Sequence, residues 1–506
     1  MLVEVRPTGR LRGKNPVDVT AALDPVVRAL CEFGTGGGSG TELDLSRVRV
    51  VCDWIQYRQN FREPVEIRPV APAAVRNGSG PDGDAPALVE LALDLRRSGQ
   101  PDLAEVAARA LRAAVAGGAD GPDAPVVVED WGAGRDSCIW DFNALYWQHL
   151  RLWEEATGQG YESALPGGQS DARNSDGARE LIGELFRVWD DLAARRALPE
   201  ELYVVELGVG NGNQAATFLD TFLELDRARG HEYYRRLHYL MCDYSSHVLE
   251  LARAAVGQHA ERVSSFVLDA EHPMTALSFL RYKIFLVYIS NVYDNLRTDE
   301  IASIGQREYV VQTRAYLPAA AAGEIAATAS VERAQVPAMI RKLLRLGPPL
   351  LAEVAAAHFP TTTAAVEFWQ RCWEGLRLQE RYVPLAGLDT YEIAAGVNGE
   401  ALRPLLTAAG DVRMHVSNGA VASFTETMPL LHPYGRLICH DLFVTDTHQY
   451  RTGFRGPGKY DGSVVNWVNG PLLAHIGHRK GFEVRHVPFA HRAGSNVKTM
   501  TVQVRD

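Results

Sequence analysis

The sequence predicts an α/β fold whose mainly parallel sheet is covered by helices on both faces. Four largely apolar runs have the composition of strands buried on both sides; they span residues 202–207, 237–242, 263–268 and 283–289. Helical segments at 214–229 and 246–256 alternate with these runs, which is the pattern of strand–helix–strand units. A glycine-rich turn joins the first run directly to the first helix, and such folds bind cofactors at that place.

The first 130 residues are predicted to form an N-terminal accessory region. Three stretches rich in glycine, proline and aspartate indicate loops or linkers; they span residues 34–40, 77–84 and 117–123. Between them, residues 47–54 have the composition of a strand, and residues 103–116 have the apolar spacing of a helix. The region carries no recognisable motif, so the sequence leaves its role open.

Residues 131–300 are predicted to form the first part of the core, with the cofactor site. An aromatic helix at 141–155 and an amphipathic helix at 176–192 precede the first strand, and a Gly/Ser-rich loop at 158–175 separates them. These two helices lead the chain into the alternation of strands and helices.

The alternation stops after Thr298, where stretches rich in alanine and leucine follow. Residues 301–410 are therefore interpreted as a helical insertion between the fourth and fifth strands. Insertions at the carboxyl ends of such strands border the ligand crevice, so we expect this one on the substrate side. Residues 411–506 complete the core with strands at 435–440 and 497–504.

The turn after the first strand carries three alternating glycines, Gly208, Gly210 and Gly212. Glycine is needed where the backbone takes a positive φ or must approach a ligand closely. We expect a side chain at Gly210 to occupy the space of a cofactor. The backbone N–H groups at the start of the following helix are placed to hold an anionic group.

The spacing of these glycines distinguishes between cofactors. Dinucleotide sites carry GxGxxG after the strand, whereas this chain reads ELGVGNGNQ, which is GxGxG with Glu206 two residues before the first glycine. This form resembles motif I of the class I methyltransferases that use S-adenosylmethionine. The resemblance implies a Rossmann-like class I methyltransferase sheet and S-adenosyl-L-methionine as the cofactor. The implied binding residues are Glu206, Gly208, Gly210, Gly212 and Asn213.

Two aspartates at the ends of the next strands extend the predicted cofactor site. Asp243, followed by Tyr244, ends the second strand, where an acidic residue accepts hydrogen bonds from ribose hydroxyls in Rossmann-like sheets. Asp269, followed by Ala270, ends the third strand, where methyltransferases place a residue that binds the adenine amine. Each aspartate alone is also explained as a solvated strand end. Together with Glu206 and the glycines they favour a cofactor site.

Further segments resemble one branch of these enzymes, the MidA-type methyltransferases. Residues 170–186 (SDARNSDGARELIGELF) resemble the family's segment before motif I, and residues 290–296 (SNVYDNL) resemble its NExxDxL segment. Residues 431–441 (LHPYGRLICHD) resemble its GxLLxxDYG strand, and residues 450–462 stand at its variable loop. The resemblance is distant and covers about residues 140–490. The family includes a mitochondrial complex I assembly factor that methylates a protein arginine.

The segment after the fourth strand supplies the predicted catalytic residues Asp294, Asn291 and Tyr293. Aligning Asp294 with the family aspartate puts Asn291 where the family has glutamate. A guanidinium is protonated at neutral pH, so its methylation favours nearby carboxylates. Loss of one carboxylate leaves an amide, an amine or a hydroxyl as alternative acceptors. Asn291 is equally well explained as the cap of a following helix. His440 and Asp441, near the end of the fifth strand, are further candidates for a general base.

Composition excludes several other classes of protein. The net charge of −10 gives no basic field for nucleic acid, and no run of eighteen apolar residues exists to span a membrane. The six cysteines form no CxxC pair, and His432, His440 and His448 lack metal-ligand spacing, so no metal is predicted. The N-terminal residues lack the apolar core of a signal peptide, so we expect a cytoplasmic protein, with a homodimer left open.

Two functions from different classes are compatible with these sequence features. The first is a methyltransferase that moves a methyl group to a nitrogen or oxygen nucleophile on a protein side chain or a small molecule. The alternative is a non-catalytic assembly or scaffold protein that binds S-adenosylmethionine. The sequence names neither the acceptor nor the attacked atom.

Overall fold

A computed structural model describes residues 2–5, 23–24, 26–28, 30–31, 48–53, 59–70, 88–94, 105–107, 110, 124–161, 174–451, 456–492 and 494–505. The predicted loops at 34–40, 77–84 and 117–123 lie outside these residues. So do most of the predicted helix at 103–116 and residues 162–173 of the predicted loop at 158–175.

The strands fall into an N-terminal group, a central group and a C-terminal group. The N-terminal strands are β1 (Leu2–Val5), β2 (Val48–Asp53), β3 (Gln59–Asn60), β4 (Val65–Val70), β5 (Leu88–Asp94), β6 (Val126–Val127) and β7 (Gly132–Ala133). The central strands are β8 (Leu202–Leu207), β9 (Leu237–Asp243), β10 (Val263–Val267), β11 (Ile284–Ser290), β12 (Glu300–Ile304), β13 (Arg307–Leu317), β14 (Arg377–Pro384), β15 (Glu392–Ala394), β16 (Val397–Asn398) and β17 (Val412–His415). The C-terminal strands are β18 (Leu431–Asp441), β19 (Phe443–Val444), β20 (Gly458–Tyr460), β21 (Ser463–Val465), β22 (Val468–Asn469), β23 (Phe482–Pro488) and β24 (Lys498–Val504).

Helical residues at 23–24, 26–28, 30–31, 105–107 and 110 lie among the N-terminal strands, and the α-helices whose bounds are described follow those strands. They are α1 (Ile139–Gln148), α2 (Leu150–Thr157), α3 (Ser175–Ala194), α4 (Asn213–Arg229), α5 (Tyr233–Arg236), α6 (Ser246–Ala255), α7 (Met274–Leu277), α8 (Ala319–Thr328), α9 (Val336–Val354), α10 (Thr362–Gly375), α11 (Arg403–Ala409), α12 (Asn418–Thr427) and α13 (Gly470–Arg479). Among the described helices, none is both long and apolar enough to cross a membrane.

Seven strands form the core sheet, in the order β10–β9–β8–β11–β18–β24–β23. The first five pair in parallel, and β24 runs antiparallel between β18 and β23. Numbered within the sheet, the order begins 3-2-1-4-5, which is that of the doubly wound fold. The predicted Rossmann-like class I methyltransferase sheet is therefore confirmed.

Helices cover both faces of this sheet because its central strands are apolar on both sides. Along β8, Val204 packs in one core with residues of α3 and α4. Its neighbour Val205 belongs to a second core, which includes residues of α12 and α13. This alternation follows from the period of two in a strand. It fixes the sheet rigidly and leaves its carboxyl edge to carry the loops.

The insertion between β11 and β18 differs from the prediction, because it is not purely helical. Besides α8, α9, α10 and α11 it contains the strands β12, β13 and β14. In β13, Tyr309, Val311, Thr313 and Ala315 are buried at every second position, with more exposed residues between them. This alternation indicates a strand, but the alanine-rich helices around it dominate the composition.

All the N-terminal strands except β3 share a second sheet with strands of the insertion and with β17. Its order is β1–β2–β5–β4–β14–β13–β12–β17, and β6 and β7 pair with β13. The junction is between β4 and β14, where Val70 pairs with Tyr382. The accessory region and the insertion, which the sequence predicts as separate parts, are therefore continuous in this sheet.

A group of ionised side chains is buried inside the second sheet, and we call it the charge cluster. It contains three arginines and four glutamates: Arg62, Arg68, Arg413, Glu66, Glu90, Glu300 and Glu380. Glu380 on β14 lies at its centre, 2.5 Å from Nη2 of Arg62 and 2.7 Å from Nη1 of Arg413. Buried charges are tolerated only when they are paired in this way.

Candidate active site

A cavity of about 720 Å³ lies at the carboxyl edge of the core sheet. The loops that follow β8, β9, β10 and β11 form one part of its wall. The rest comes from the helix α1, the segment 460–465, residues 492 and 494–497, and the side chains of Tyr161 and Leu442. A doubly wound sheet binds its ligands at this edge, near the point where the strand order reverses.

The turn between β8 and α4 requires glycine at all three motif positions. Gly208, Gly210 and Gly212 have φ values of 75°, 59° and 80°, which L-residues with a side chain rarely adopt. A Cβ atom at Gly208 would lie 2.3 Å from Cγ2 of Val292, and one at Gly212 would lie 2.6 Å from Cα of Ala252. The turn therefore packs tightly against the neighbouring loop and helix.

Tyr161 covers this turn, and no pattern in the sequence indicated it. Its hydroxyl accepts a hydrogen bond from the backbone N–H of Asn211 at 3.0 Å. It also lies 2.7 Å from the position of a Cβ atom at Gly210, where the glycine motif predicts space for a cofactor. The backbone N–H of Asn213, at the start of α4, donates to Oδ1 of Asn211. A loop residue far from the motif therefore forms part of the same site.

Glu206 is buried at the end of β8 and lines the cavity. Its Oε2 accepts a hydrogen bond from the hydroxyl of Tyr239 at 2.5 Å. Burial raises its pKa to about 8, although the bond from Tyr239 opposes this shift. At neutral pH Glu206 is therefore mostly an uncharged acid that holds the strand end.

Asp243 ends β9 and receives backbone hydrogen bonds from two sides of the site. The N–H of Gly210 donates to Oδ2 at 3.2 Å, and the N–H of Ser245 donates to Oδ1 at 3.0 Å. Burial raises the pKa of Asp243 to about 6, although these N–H groups favour the ionised form. Tyr244 also lines the cavity, and its hydroxyl accepts a hydrogen bond from Nε2 of Gln148 on α1.

Asp269 and Ala270 line the cavity after β10, as does Glu271. Oδ1 of Asp269 accepts the backbone N–H of Glu271 at 2.9 Å, which fixes the turn. Oε1 of Glu271 in turn accepts the N–H of Arg297. The cavity therefore brings together all nine residues predicted to bind a cofactor except Gly212, which lies at the adjoining helix start.

The three predicted catalytic residues are placed differently from one another. Asn291 and Asp294 line the cavity, whereas Tyr293 is buried in the core on the other side of the turn. Tyr293 does not line this cavity, because successive residues of the 3₁₀ turn Tyr293–Asn295 point in different directions. The backbone of Asn291 has a φ of 52°. The residue at the N-cap position of the 3₁₀ turn is Val292, and Asn291 stands one residue before it.

Asp294 and Asp441 form a buried pair of carboxyl groups beside the cavity. Oδ2 of Asp441 accepts the backbone N–H groups of Val292, Tyr293 and Asp294 at 3.1, 2.8 and 3.4 Å. Burial raises the pKa of Asp294 to about 6. Burial, together with the charge of Asp294, raises the pKa of Asp441 well above its usual range. Asp294 is therefore the ionised member at neutral pH, and Asp441 anchors the turn.

His440 does not fit the role of a general base in this cavity. It is not among the residues that line the cavity, and its Nδ1 lies 2.9 Å from the hydroxyl of Thr499. Burial and the neighbouring His491 lower its pKa to about 4, so it stays neutral over most of the pH range.

The insertion, which the structure describes throughout residues 301–410, contributes no residue to this cavity, and its predicted place on the substrate side stays a prediction. Helix α1 and residues of the segment 460–465 line the cavity instead. Asn143 of α1 joins them, since its Nδ2 donates to the carbonyl of Asn295 and its Oδ1 accepts the N–H of Val464. The insertion helices α8, α9 and α10 share an apolar core with α1 and so support it from behind.

The glycine-rich segment 452–462, with Arg455 and Lys459, is open to two interpretations from its sequence, a lid over the site or a surface loop. Arg455 lies outside the described residues. Lys459 is buried, and its ammonium group donates to the carbonyls of Trp373, Glu374 and Leu376 at the end of α10. Lys459 therefore holds this part of the loop in place.

The cavity includes several residues that no sequence pattern assigned to a site. They are Trp140, Asn143, Trp147, Tyr161, Arg297, Tyr460, Ser463 and Arg492. The aromatic composition of 141–155 was visible in the sequence but did not indicate where its side chains lie. Within the described residues, no three His, Cys, Asp or Glu side chains are grouped as a metal site requires.

No protein-family model matches the sequence, and no curated protein matches it. Among solved structures, one match is a protein from Burkholderia thailandensis bound to S-adenosyl-homocysteine, with 14% identity, coverage of 78% of this chain and 90% of that chain, and a TM-score of 0.42. The carbon methyltransferase DszA matches with 14% identity, coverage of 72% of this chain and 66% of that chain, and a TM-score of 0.30. The glycopeptide N-methyltransferase MtfA, complexed with S-adenosyl-L-methionine, matches with 12% identity, coverage of 65% of this chain and 93% of that chain, and a TM-score of 0.26. Similarities this distant carry no conclusion about the substrate of this chain.

Proposed function

We propose that this chain is a methyltransferase that uses S-adenosyl-L-methionine and transfers its methyl group to a nitrogen or oxygen nucleophile. One observation carries the proposal. Three glycines with positive φ and the carboxylate of Asp243 meet at one end of a large cavity, at the carboxyl edge of the core sheet. The GxGxG spacing with Glu206 favours this cofactor over a dinucleotide.

The residues present fit the parts of this cofactor. The carboxylate of Asp243 suits the two ribose hydroxyls, and Asp269 with Ala270 borders the space next to it for adenine. The N-terminus of α4 suits the carboxylate of the methionine part. A bound sulfonium supplies a methyl group for in-line displacement, in which charge is dispersed rather than created.

Asp294 is the proposed group that receives the proton of the acceptor. It lines the cavity, and its turn is held by the three hydrogen bonds to Asp441. A base whose pKa is about 6 is mostly ionised at pH 7 and still basic enough to accept a proton. The enclosed position also excludes water and orients the acceptor, effects worth about 7–11 kcal/mol in favourable cases.

The proposal is tested by calorimetry of the full chain with S-adenosyl-L-methionine and with its demethylated product. We expect both to bind, and absence of binding by either contradicts the cofactor assignment. A panel of peptides and small molecules with amine, guanidine, amide and hydroxyl groups then tests transfer of a radiolabelled methyl group. Cofactor binding without transfer to any member favours the alternative, a scaffold protein that binds the cofactor.

Cofactor affinity is expected to depend on pH through Asp243. The ionised carboxylate accepts both ribose hydroxyls, whereas the protonated acid loses part of this capacity. The contribution of Asp243 to the affinity is therefore expected to be constant above pH 7 and to fall by up to about tenfold per unit below pH 6. Calorimetry between pH 5 and 8 measures this. The variant Asp243→Asn is expected to bind the cofactor more weakly and not to show this fall of affinity below pH 6. Equal pH profiles for wild type and variant would contradict the role of Asp243.

Replacing Asp294 with asparagine is expected to reduce methyl transfer by about 10²–10⁴-fold, the usual contribution of a general base. The cofactor affinity is expected to stay within about twofold, since the predicted cofactor contacts are made by other residues. Transfer rates and calorimetry on the same preparation separate the two effects. Asp446→Asn, an exposed aspartate beyond the end of β18, is the control. Unchanged transfer in the Asp294 variant removes this residue from the mechanism.

A further inference from the structure

We infer that the N-terminal segment Gln59–Arg62 is part of the active site's support, with Arg62 positioning the wall at which the methyl acceptor binds. We call this wall the acceptor wall and define it as Tyr460, Ser463 and Val465. The inference rests on the proposed function, because that function assigns the space beside Asp294 to the acceptor.

The acceptor wall belongs to a three-stranded sheet whose outer strand comes from the N-terminal region. The order is β21–β20–β3, and all neighbours are antiparallel. Asn60 of β3 pairs with Gly458 and Gln59 pairs with Lys459. The backbone of β20 is therefore completed by residues that lie almost 400 positions earlier in the chain.

The acceptor wall is next to the proposed catalytic aspartate. The backbone N–H of Asn466, directly after β21, donates to the carbonyl of Asp294 at 2.8 Å. Its side-chain amide donates to the same carbonyl at 3.0 Å. A displacement of β20 and β21 would therefore move the acceptor space relative to the carboxylate of Asp294.

Arg62 packs against the residues that directly precede β20. Its guanidinium is buried and paired with Glu380 and Glu66. It packs against Gly456 so closely that a Cβ atom there would lie 2.4 Å from Nη2. The backbone N–H of Gly456 donates to Oε1 of Glu300 at 3.1 Å. Gly456 is therefore held between an arginine of the N-terminal region and a glutamate at the start of β12.

Phe61 adds an apolar contact to the same support. Its ring packs edge-on against Trp373 with centroids 5.3 Å apart, and its carbonyl accepts the N–H of Leu378. The ammonium group of Lys459 lies 4.8 Å from the centre of the ring. Three consecutive residues, Asn60, Phe61 and Arg62, thus contact β20 or the residues that hold it.

Arg68 provides a matched comparison for Arg62. It is equally buried and belongs to the same charge cluster, where it pairs with Glu66, Glu90 and Glu380. These partners all lie within the second sheet. Loss of either arginine disturbs the cluster, but only Arg62 packs against the chain that enters β20.

The test compares Arg62→Met with Arg68→Met in the full chain. Hydrogen exchange measured by mass spectrometry is expected to show roughly tenfold faster exchange at residues 456–465 in the Arg62 variant than in the Arg68 variant. Affinity for S-adenosyl-L-methionine is expected to stay within about twofold of wild type in both. Arg62→Lys is expected to restore part of the protection, because it keeps one charged contact to Glu380.

Equal exchange at 456–465 in the two methionine variants overturns the inference. If either of them fails to fold, the pair Arg62→Lys and Arg68→Lys is compared by the same measurement and the same criterion. A kinetic measurement adds a second readout. For an acceptor identified by the methylation panel, the kcat/KM for that acceptor is expected to fall about tenfold in Arg62→Met and to stay unchanged in Arg68→Met. A wild-type protein that does not bind the cofactor contradicts the proposed function, whereas the exchange comparison separately tests the support by Arg62.

Discussion

Replacing Gly210 with arginine is expected to lower the affinity for S-adenosyl-L-methionine by about a hundredfold or more. The φ of 59° costs an L-residue with a side chain roughly 1–2 kcal/mol. Its Cβ would also lie 2.7 Å from the hydroxyl of Tyr161, so this side chain must move away from the N–H of Asn211, and loss of that hydrogen bond costs about 0.5–1.5 kcal/mol. Since 1.4 kcal/mol is a factor of about ten, the two effects together reach about a hundredfold.

These costs are expected to appear as lost affinity because they fall on the conformation that binds. The loop is able to relieve the strain by moving, but it then no longer presents the N–H of Gly210 to Asp243. The arginine side chain, in addition, projects from a residue that lines the cavity. Calorimetry with the cofactor and its demethylated product measures the effect.

Gly257→Arg is the matched control for this experiment. Gly257 has open space around the position of a Cβ atom, and it stands in a short 3₁₀ helix on the surface. We expect this variant to bind the cofactor like wild type and to melt at the same temperature. If Gly210→Arg also binds like wild type, the glycine turn is not the cofactor site, and the proposed function loses its main support.

The core sheet was predictable because the sequence patterns that indicate its strands and turns each lie within a short stretch of the chain. Each strand from β8 to β11 is a short apolar run, and the motif around Gly210 lies between one strand and one helix. Period and turn chemistry over ten or twenty residues are enough to identify such units. The same locality explains why Asp243 and Asp269 were placed correctly at strand ends.

The second sheet and the small sheet β21–β20–β3 were not predictable in this way, because their pairings are not local. Val70 pairs with Tyr382, and Asn60 pairs with Gly458, across more than three hundred residues. No pattern within β3 or β4 indicates either partner. The same reason explains the site residues that were missed, since Asn143 and Tyr460 reach the cavity only through tertiary packing.

The burial of Tyr293 in the core was not predictable for a different reason. The spacing in residues 290–296 placed the segment correctly at the end of β11, but the direction of each side chain depends on the turn. Tyr293 and Asp294 are adjacent in sequence, yet one is in the core and the other lines the cavity. A family-like motif therefore located the segment without identifying which of its residues face a ligand.

Replacing Glu380 with glutamine is expected to destabilise the fold by about 3–5 kcal/mol, the usual cost of removing one partner from a buried ion pair. Glu380 contacts Arg62, Arg68 and Arg413, and it is buried with them inside the second sheet. The amide keeps the shape of the side chain but removes its charge, so three guanidinium groups lose their common partner. Urea unfolding followed by tryptophan fluorescence measures the shift of the midpoint.

The pH dependence of this effect follows from the pKa of Glu380. Burial alone would raise it, but Arg413, Arg62 and Arg68 together outweigh burial and lower the pKa well below its usual range. A group whose pKa is depressed in the folded state stabilises the protein above its unfolded pKa of about 4.3 and loses this contribution as the pH falls. The difference between wild type and Glu380→Gln is therefore expected to be full at pH 7 and to shrink below about pH 4.

This experiment also decides whether the N-terminal region unfolds with the rest of the chain. Glu380 belongs to the insertion, whereas Arg62 and Arg68 belong to the N-terminal region, so the charge cluster couples the two. If they form one cooperative unit, fluorescence and circular dichroism show the same lowered midpoint for the variant. Glu400→Gln, which removes an exposed ion pair with Arg403, is the control and is expected to leave the midpoint unchanged. An unchanged midpoint in Glu380→Gln would mean that the charge cluster does not hold the N-terminal strands to the insertion.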